Sequence, residues 1–143
     1  MLHTEAVEPG MMELLKGLCS INELENFALI GGTNLALRLG HRISKDLDFF
    51  SMDDFKEGET DMLLKKKYPD MIITEKDKQF RKYIINGIKA QFLKFNYPML
   101  KEIEVKEGIR MYSLEDTIAA KMGAIVNRGT KRDFYDVYEL LKT

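Results

Sequence analysis

The spacing of apolar residues in the first part of the chain predicts alternating helices and strands. Apolar side chains recur every three or four positions over residues 10–24, the pattern of an amphipathic helix. A short apolar run at residues 27–30 predicts a buried strand that turns at the two glycines after it. Thr33 is predicted to cap the next helix, and Gly40 to end it.

The middle of the chain is mostly strand-like. Residues 46–50 predict a second strand, and residues 54–68 predict a partly exposed helix that Pro69 closes. Asn86-Gly87 is a strong hairpin signal between two later apolar runs. The remaining strands are expected at residues 71–74, 79–85 and 88–95, with an edge strand within 102–112.

The C-terminal part, from about residue 113, returns to a helical period. Ser113 and Asp116 stand three positions apart, as in a capping box. Gly129 is predicted to separate this helix from a last one over residues 133–142. The order of elements predicts one α+β domain over residues 1–143, with a mixed β-sheet flanked by helices.

Composition narrows the class of protein. The 143 residues are 45% hydrophobic and 31% charged, as in ordinary globular proteins. With 22 Lys and Arg against 23 Asp and Glu, the net charge is -1, so any contact with nucleic acid has to be a local patch. The single Cys19 excludes an internal disulfide framework, and no apolar run approaches the roughly 18 residues of a membrane span. We expect a cytoplasmic protein without membrane association.

Asp46 and Asp48 carry the first candidate chemistry. On a strand, residues two positions apart project from the same face, so the two carboxylates lie side by side, with Leu47 and Phe49 on the other face. Their repulsion favours a compensating cation, and two carboxylates suit Mg²⁺, which fills its other positions with water and substrate phosphates. Alternatively, one of the aspartates lies in the preceding loop as a solvated cap.

Gly31, Gly32 and Thr33 carry a second candidate feature. They follow a predicted strand and open a predicted helix, where backbone N–H groups and the positive end of the helix dipole can bind a phosphate. Alternatively, the glycines only turn the chain. One short helix and a loop separate them from Asp46, which would bring the phosphate and the carboxylates to the same edge of the sheet.

Two blocks of sequence together resemble a known family. Residues 31–48 fit GG-x-x-L-x(6)-R-x-S-x-D-x-D, and residues 121–128 fit K-x-x-A-x-x-x-R. Residues 131–136 read K-R-D-x-x-D, similar to a KDxxDL block. In this order the blocks resemble the AbiEii/AbiGii-type toxins of bacterial abortive-infection systems, within the DNA polymerase β-like nucleotidyltransferase superfamily.

The resemblance implies a polymerase β-like nucleotidyltransferase fold and a set of site residues. It implies that Asp46 and Asp48 bind Mg²⁺ and are catalytic, with Lys121 on the triphosphate and Asp133 as a further active-site carboxylate. The residues implied in nucleotide binding are Gly31, Gly32, Thr33, Arg42, Ser44, Lys121 and Arg128. Taken alone, Lys121 could equally extend to solvent, Arg128 could lie in a solvated turn and Asp133 could cap a helix.

Gln91 departs from the pattern of the superfamily, which usually has a third carboxylate on a neighbouring strand. A glutamine offers only a neutral amide oxygen to a metal and cannot act as a general base. Three explanations stay open: the register differs, Asp133 supplies the missing function, or catalysis is weakened.

The predicted activity is transfer of a nucleoside monophosphate from a nucleoside triphosphate to an RNA, such as tRNA, or to a protein. The resemblance implies the toxin of an abortive-infection pair, whose antitoxin would be a partner. An acceptor phosphate backbone could meet the local cations Arg42, Lys45, Arg128, Lys131 and Arg132. The alternative is a catalytically impaired nucleotide-binding or protein-interaction module. A metal-dependent phosphohydrolase is disfavoured because His3 and His41 are the only histidines.

Overall fold

The computed structural model describes residues 1–53, 58–94 and 99–127, together with 136 and 139. The helices are α1 (Met11–Cys19), α2 (Gly31–Leu39), α3 (Glu59–Lys67) and α4 (Leu114–Asn127). The strands are β1 (Ala28–Ile30), β2 (Asp46–Ser51), β3 (Ile72–Lys76), β4 (Phe80–Ile85), β5 (Ile88–Lys94), β6 (Glu104–Lys106) and β7 (Ile109–Met111). No helix among these residues is long and apolar enough to cross a membrane.

The seven strands form one mixed sheet in the order β3-β4-β5-β2-β1-β7-β6. Strand β2 lies in the centre, parallel to β5 and antiparallel to β1, and β1 is parallel to β7. The outer pairs β3-β4, β4-β5 and β6-β7 are antiparallel. The predicted α+β architecture with a mixed sheet is therefore confirmed.

The two faces of β2 have different environments. Leu47 and Phe49 point into the core, and the ring of Phe49 stacks on that of Phe92 with centroids 5.0 Å apart. Tyr83 of β4 packs edge-on against Phe92 from the neighbouring strand. This apolar layer fixes the register of β2, because a shift by one residue would carry the aspartates into the core.

Two hairpins close the outer strands. Asn86 and Gly87 have φ of 52° and 79°, the positive values that a type I′ turn requires, which confirms the predicted hairpin. Glu107 and Gly108, at 51° and 81°, make a second such turn between β6 and β7. The edge strand predicted within 102–112 is therefore confirmed as β6. The second strand in this range, β7, was not predicted, because Glu107 gives a weaker turn signal than asparagine.

The helix ends differ in part from the prediction. Helix α1 ends at Cys19, and residues Asn22–Leu24 form a separate 3₁₀ turn. Helix α2 begins at Gly31, so Thr33 does not cap it; the Thr33 hydroxyl donates to the Asp46 carbonyl oxygen and accepts from Ser44 Oγ at 2.6 Å. Gly40 ends α2 in the left-handed conformation, as predicted.

Ser113 caps α4 as predicted, since the Asp116 N–H donates to Ser113 Oγ at 3.1 Å. The Asp116 carboxylate accepts a hydrogen bond from that hydroxyl at 2.7 Å. It also accepts from the backbone N–H groups of Leu100 and Lys101 at 2.8 and 3.1 Å. The buried carboxylate therefore fixes the start of α4 to the segment before β6. Of the predicted last helix, only positions 136 and 139 are described.

Candidate functional site

A cleft of about 390 Å³ lies over the polar face of β2, β5 and β4. It is lined by both aspartates of β2, by residues of the turn into α2 and the loop after it, and by Lys121 of α4. The cleft therefore gathers groups that the sequence separates by as much as 89 positions, from Gly32 to Lys121.

Asp46 and Asp48 form the floor of the cleft. Both belong to β2 and are partly buried, and they alternate with the buried Leu47 and Phe49. The alternative in which one aspartate is a loop cap is therefore wrong. Two carboxylates on one face of a strand are oxygen donors of the kind that Mg²⁺ prefers, so the donor set fits a divalent cation.

The two glycines give space to the charged groups around the floor. Gly31 has a φ of 78°, and a Cβ there would lie 3.0 Å from Asp48 Oδ2. A Cβ on Gly32 would overlap the guanidinium of Arg42. Gly31 is therefore needed for the turn and for the close approach of Asp48, and Gly32 for the close approach of Arg42. Phosphate binding by their N–H groups stays a prediction.

Asp136 joins three other side chains beside the cleft. Arg42 Nε and Nη2 donate to its two carboxylate oxygens at 2.8 and 3.1 Å, and Lys121 Nζ lies 2.9 Å from Oδ2. His41 Nε2 contacts Oδ1. The Asp136 side chain is 0% exposed and that of Lys121 only 5%, so this is a buried ionic cluster.

The pKa of Asp136 reflects this environment. Burial raises the pKa, but hydrogen bonds from Arg42, His41 and Lys121 favour the ionised carboxylate and hold the pKa below its usual value. The ionised Asp136 therefore binds both Arg42 and Lys121. Both cations also line the cleft.

Most of the predicted site residues that the structure describes lie together. Gly32, Thr33, Arg42, Ser44, Asp46, Asp48 and Lys121 all line the cleft, and Gly31 adjoins Asp48. Lys121 is buried and ion-paired, so the alternative in which it extends to solvent is wrong. Arg128 and Asp133, with Lys131 and Arg132, lie outside the described residues, and their roles stay predictions. Lys45 is exposed, and its Nζ lies 3.9 Å from Glu8 Oε1.

Gln91 lies directly beside Asp48, because the register of β2 and β5 pairs the two residues. It lines the cleft on the same face as the aspartates. That Gln91 takes the place of the third carboxylate of the superfamily stays a prediction.

The sequence does not identify all residues of the cleft and of the ionic cluster beside it. The K-R-D-x-x-D block contains Asp136 but indicates no role for it. His41 lies in a loop, yet its side chain is buried against Asp136. The outer wall contains Glu75, Lys82 and Lys89. Lys82 and Lys89 could have been found, since alternation on β4 and β5 puts them on the Gln91 face.

We predict that Gly31→Ala destabilises the protein more than Gly87→Ala. The two glycines have φ of 78° and 79°, where a Cβ costs about 1–2 kcal/mol. At Gly87 the Cβ would meet nothing within 4 Å, whereas at Gly31 it would press on Asp48. Urea unfolding should show about 1 kcal/mol of additional loss for Gly31→Ala. Equal losses would show that the contact with Asp48 is accommodated without cost.

Comparison with known proteins places the chain in a family. It matches the profile described as nucleotidyl transferase AbiEii toxin, Type IV TA system, over residues 13–104 and 91–143. The uncharacterized protein aq_aa25 of Aquifex aeolicus (strain VF5) is 33% identical over 138 aligned residues, a match that covers 91% of this chain and 65% of that protein. The chain thus spans about two thirds of the length of this curated relative.

Solved structures share the fold. The structure of a candidate nucleotidyltransferase from Helicobacter pylori superposes with a TM-score of 0.70 at 24% identity, covering 92% of this chain and 65% of that one. The Megavirus polyadenylate synthase superposes with a TM-score of 0.59 at 14% identity, covering 92% of this chain and 30% of that one. The fold is therefore the polymerase β-like nucleotidyltransferase fold that the sequence suggested. With the family profile matched along most of its length, the chain belongs to the nucleotidyl transferase AbiEii toxin family.

Proposed function

We propose that the protein is a Mg²⁺-dependent nucleotidyltransferase that transfers a nucleoside monophosphate from a nucleoside triphosphate to an RNA, such as tRNA, or to a protein. The observation that carries this proposal is that the cleft has carboxylates on its floor and cations at its side. Asp46 and Asp48 lie on its floor, while Asp136 holds Arg42 and Lys121 at its side. A carboxylate pair for a metal beside cations for phosphates is what a triphosphate substrate requires.

Asp46 and Asp48 would hold Mg²⁺. When bound, the ion neutralises charge on the triphosphate and on the leaving pyrophosphate. Gln91, next to Asp48, can contribute only an amide oxygen or an N–H donor. The backbone N–H groups of Gly31 and Gly32 would bind a phosphate at the start of α2, where the helix dipole favours an anion.

The proposed reaction forms one bond and breaks one. An oxygen of the acceptor hydroxyl bonds to the α-phosphorus, and the bond from that phosphorus to the oxygen bridging to the β-phosphate breaks. Pyrophosphate leaves with this electron pair, and the hydroxyl proton passes to solvent. Arg42 and Lys121 would bind and orient the β- and γ-phosphates, because both cations line the cleft. The buried Asp136 would keep both cations in place.

The biological role that we propose is that of a toxin with a cognate antitoxin protein in an abortive-infection system. The family description, a Type IV toxin–antitoxin toxin, supports this role. The Megavirus structure with the same fold is a polyadenylate synthase, whose name supports a nucleic-acid acceptor over a protein one. The cytoplasm, where nucleoside triphosphates and RNA occur together, is the proposed location.

The test is incubation of the protein with each α-labelled nucleoside triphosphate, Mg²⁺ and total cellular RNA or protein. We expect a labelled acceptor, released pyrophosphate, and loss of both when EDTA removes the metal. Asp46→Asn should abolish labelling, whereas Asp70→Asn, on an exposed residue outside the cleft, should not change it.

A binding module is the second candidate, because Gln91 stands beside Asp48 where a third carboxylate would serve catalysis. The same experiment separates the two candidates. Calorimetric binding of a nucleoside triphosphate without pyrophosphate release from any acceptor would favour the binding module and contradict the transferase.

A further inference from the structure

Two rows of side chains cross the floor of the cleft from β2 outward. In one row Asp48 pairs with Gln91, Gln91 with Lys82, and Lys82 with Glu75. In the other row Asp46 pairs with Lys89 of β5. Residues paired in register lie on the same face of a sheet, so these groups share the cleft face.

Among the described residues, only β2 places two carboxylates side by side in the cleft. Of the described residues that line the cleft, only Asp46, Asp48 and Glu75 carry a carboxylate. Glu75 lies on β3, three strand spacings or about 14 Å from β2, which is too far for it to share an ion with Asp48. Lys82 Nζ also lies 3.6 Å from Glu75 Oε1. No group of three His, Cys, Asp or Glu side chains suited to a metal occurs among the described residues.

The next strand adds no negative charge. Neighbouring strands lie about 4.8 Å apart, so Gln91 and the exposed Lys89 are the nearest cleft-facing side chains to the aspartates from β5. Gln91 is neutral, and Lys89 is cationic. In a two-metal site the ions lie about 3.5–4 Å apart, so oxygens of carboxylates or phosphates have to offset their repulsion.

The described side chains on the floor of the cleft therefore favour one divalent ion. Asp46 and Asp48 together carry two negative charges, which a single Mg²⁺ neutralises. A second ion on the β5 side would meet a neutral amide and the ammonium group of Lys89. We propose that this centre holds one divalent cation, on Asp46 and Asp48, and that Gln91 sets this number. This inference rests on the proposed function, since it concerns the same metal site.

The experiment is a count of Mn²⁺ ions bound to the full chain with a non-hydrolysable α,β-methylene nucleoside triphosphate. Anomalous diffraction from crystals gives the positions, and electron paramagnetic resonance of free Mn²⁺ gives the number per chain in solution. We expect one ion on Asp46 and Asp48. We expect a second ion in Gln91→Asp, and no second ion in Gln79→Asp, which makes the same change at an exposed position outside the cleft.

The outcomes separate this inference from the proposed function. Two ions in the wild-type chain would overturn the inference and leave the proposed transferase activity intact. The same holds if Asp133→Asn then removes the second ion, which would show that Asp133 binds it. No ion at all would overturn both. One ion in both the wild type and Gln91→Asp, with Gln91→Asp folded by circular dichroism, would overturn the assignment to Gln91.

Discussion

Asp48→Ala is expected to lower kcat/KM for nucleotide transfer by at least about 10³-fold, about 4 kcal/mol of transition-state stabilisation. Asp48 supplies half of the negative charge on the cleft floor and stands between Gly31 and Gln91. Without it, Asp46 alone would have to hold the ion. Pyrophosphate release under steady-state conditions measures the effect. A rate equal to that of the wild type would contradict the assignment of this cleft as the active site.

The fold should survive Asp48→Ala. The side chain faces the cleft, whereas Leu47 and Phe49 carry the packing of β2 on the other face. Removing one of two adjacent like charges also relieves repulsion. We therefore expect thermal unfolding at or above the wild-type temperature. Asp70→Ala, at an exposed position outside the cleft, is the matched control and should retain both activity and stability.

Asp136→Ala is expected to lower the free energy of unfolding by about 3–5 kcal/mol, the usual cost of removing one partner of a buried ion pair. The change would leave the buried Lys121 and the guanidinium of Arg42 without their shared carboxylate. Urea unfolding at pH 7 measures the loss. A loss below about 1 kcal/mol, like that expected for Asp70→Ala, would show that the cluster contributes little to stability.

Two further observations test the origin of this loss. Asp136→Asn keeps the shape but not the charge, so it should recover only part of the stability. In the wild type the stabilisation by Asp136 should be fully present above its ordinary pKa of 3.8, because its pKa is lowered in the folded state. That contribution should be lost as the pH falls below 3.8 through the lowered pKa.

The alternation of polar and apolar residues and the turn motifs predicted the strands well, because both depend only on residues close together in the sequence. Alternation over β2 assigned Asp48 to one face and Phe49 to the other, and Asn86-Gly87 located a hairpin. Thr33 shows where prediction from local sequence fails. Its position after a strand resembles a cap, but its hydroxyl bonds to the Asp46 carbonyl oxygen, 13 residues away, and only the tertiary fold determines that contact.

In the candidate site, too, local sequence predicts only contacts between residues that are close together in the chain. The aspartates of β2 could be predicted because their spacing alone places them together. No local rule could identify the role of Asp136, since its partners Arg42 and His41 are 94 and 95 positions away. Lys121 is ambiguous in the sequence for the same reason, because its ion pair is formed with a carboxylate 15 positions later in the chain.

Arg42 and Asp136 of the ionic cluster are far apart in the sequence, so the parts of the cleft are synthesised at different times on the ribosome. The aspartates of β2 and their neighbours on β1 and β5 are all made before residue 95. Arg42 is made 94 residues before Asp136, the carboxylate that fixes its guanidinium. A nascent chain can therefore form the acidic half of the cleft well before the cationic half. The side chains that would bind a triphosphate are fixed only after residue 136 has been translated and has emerged.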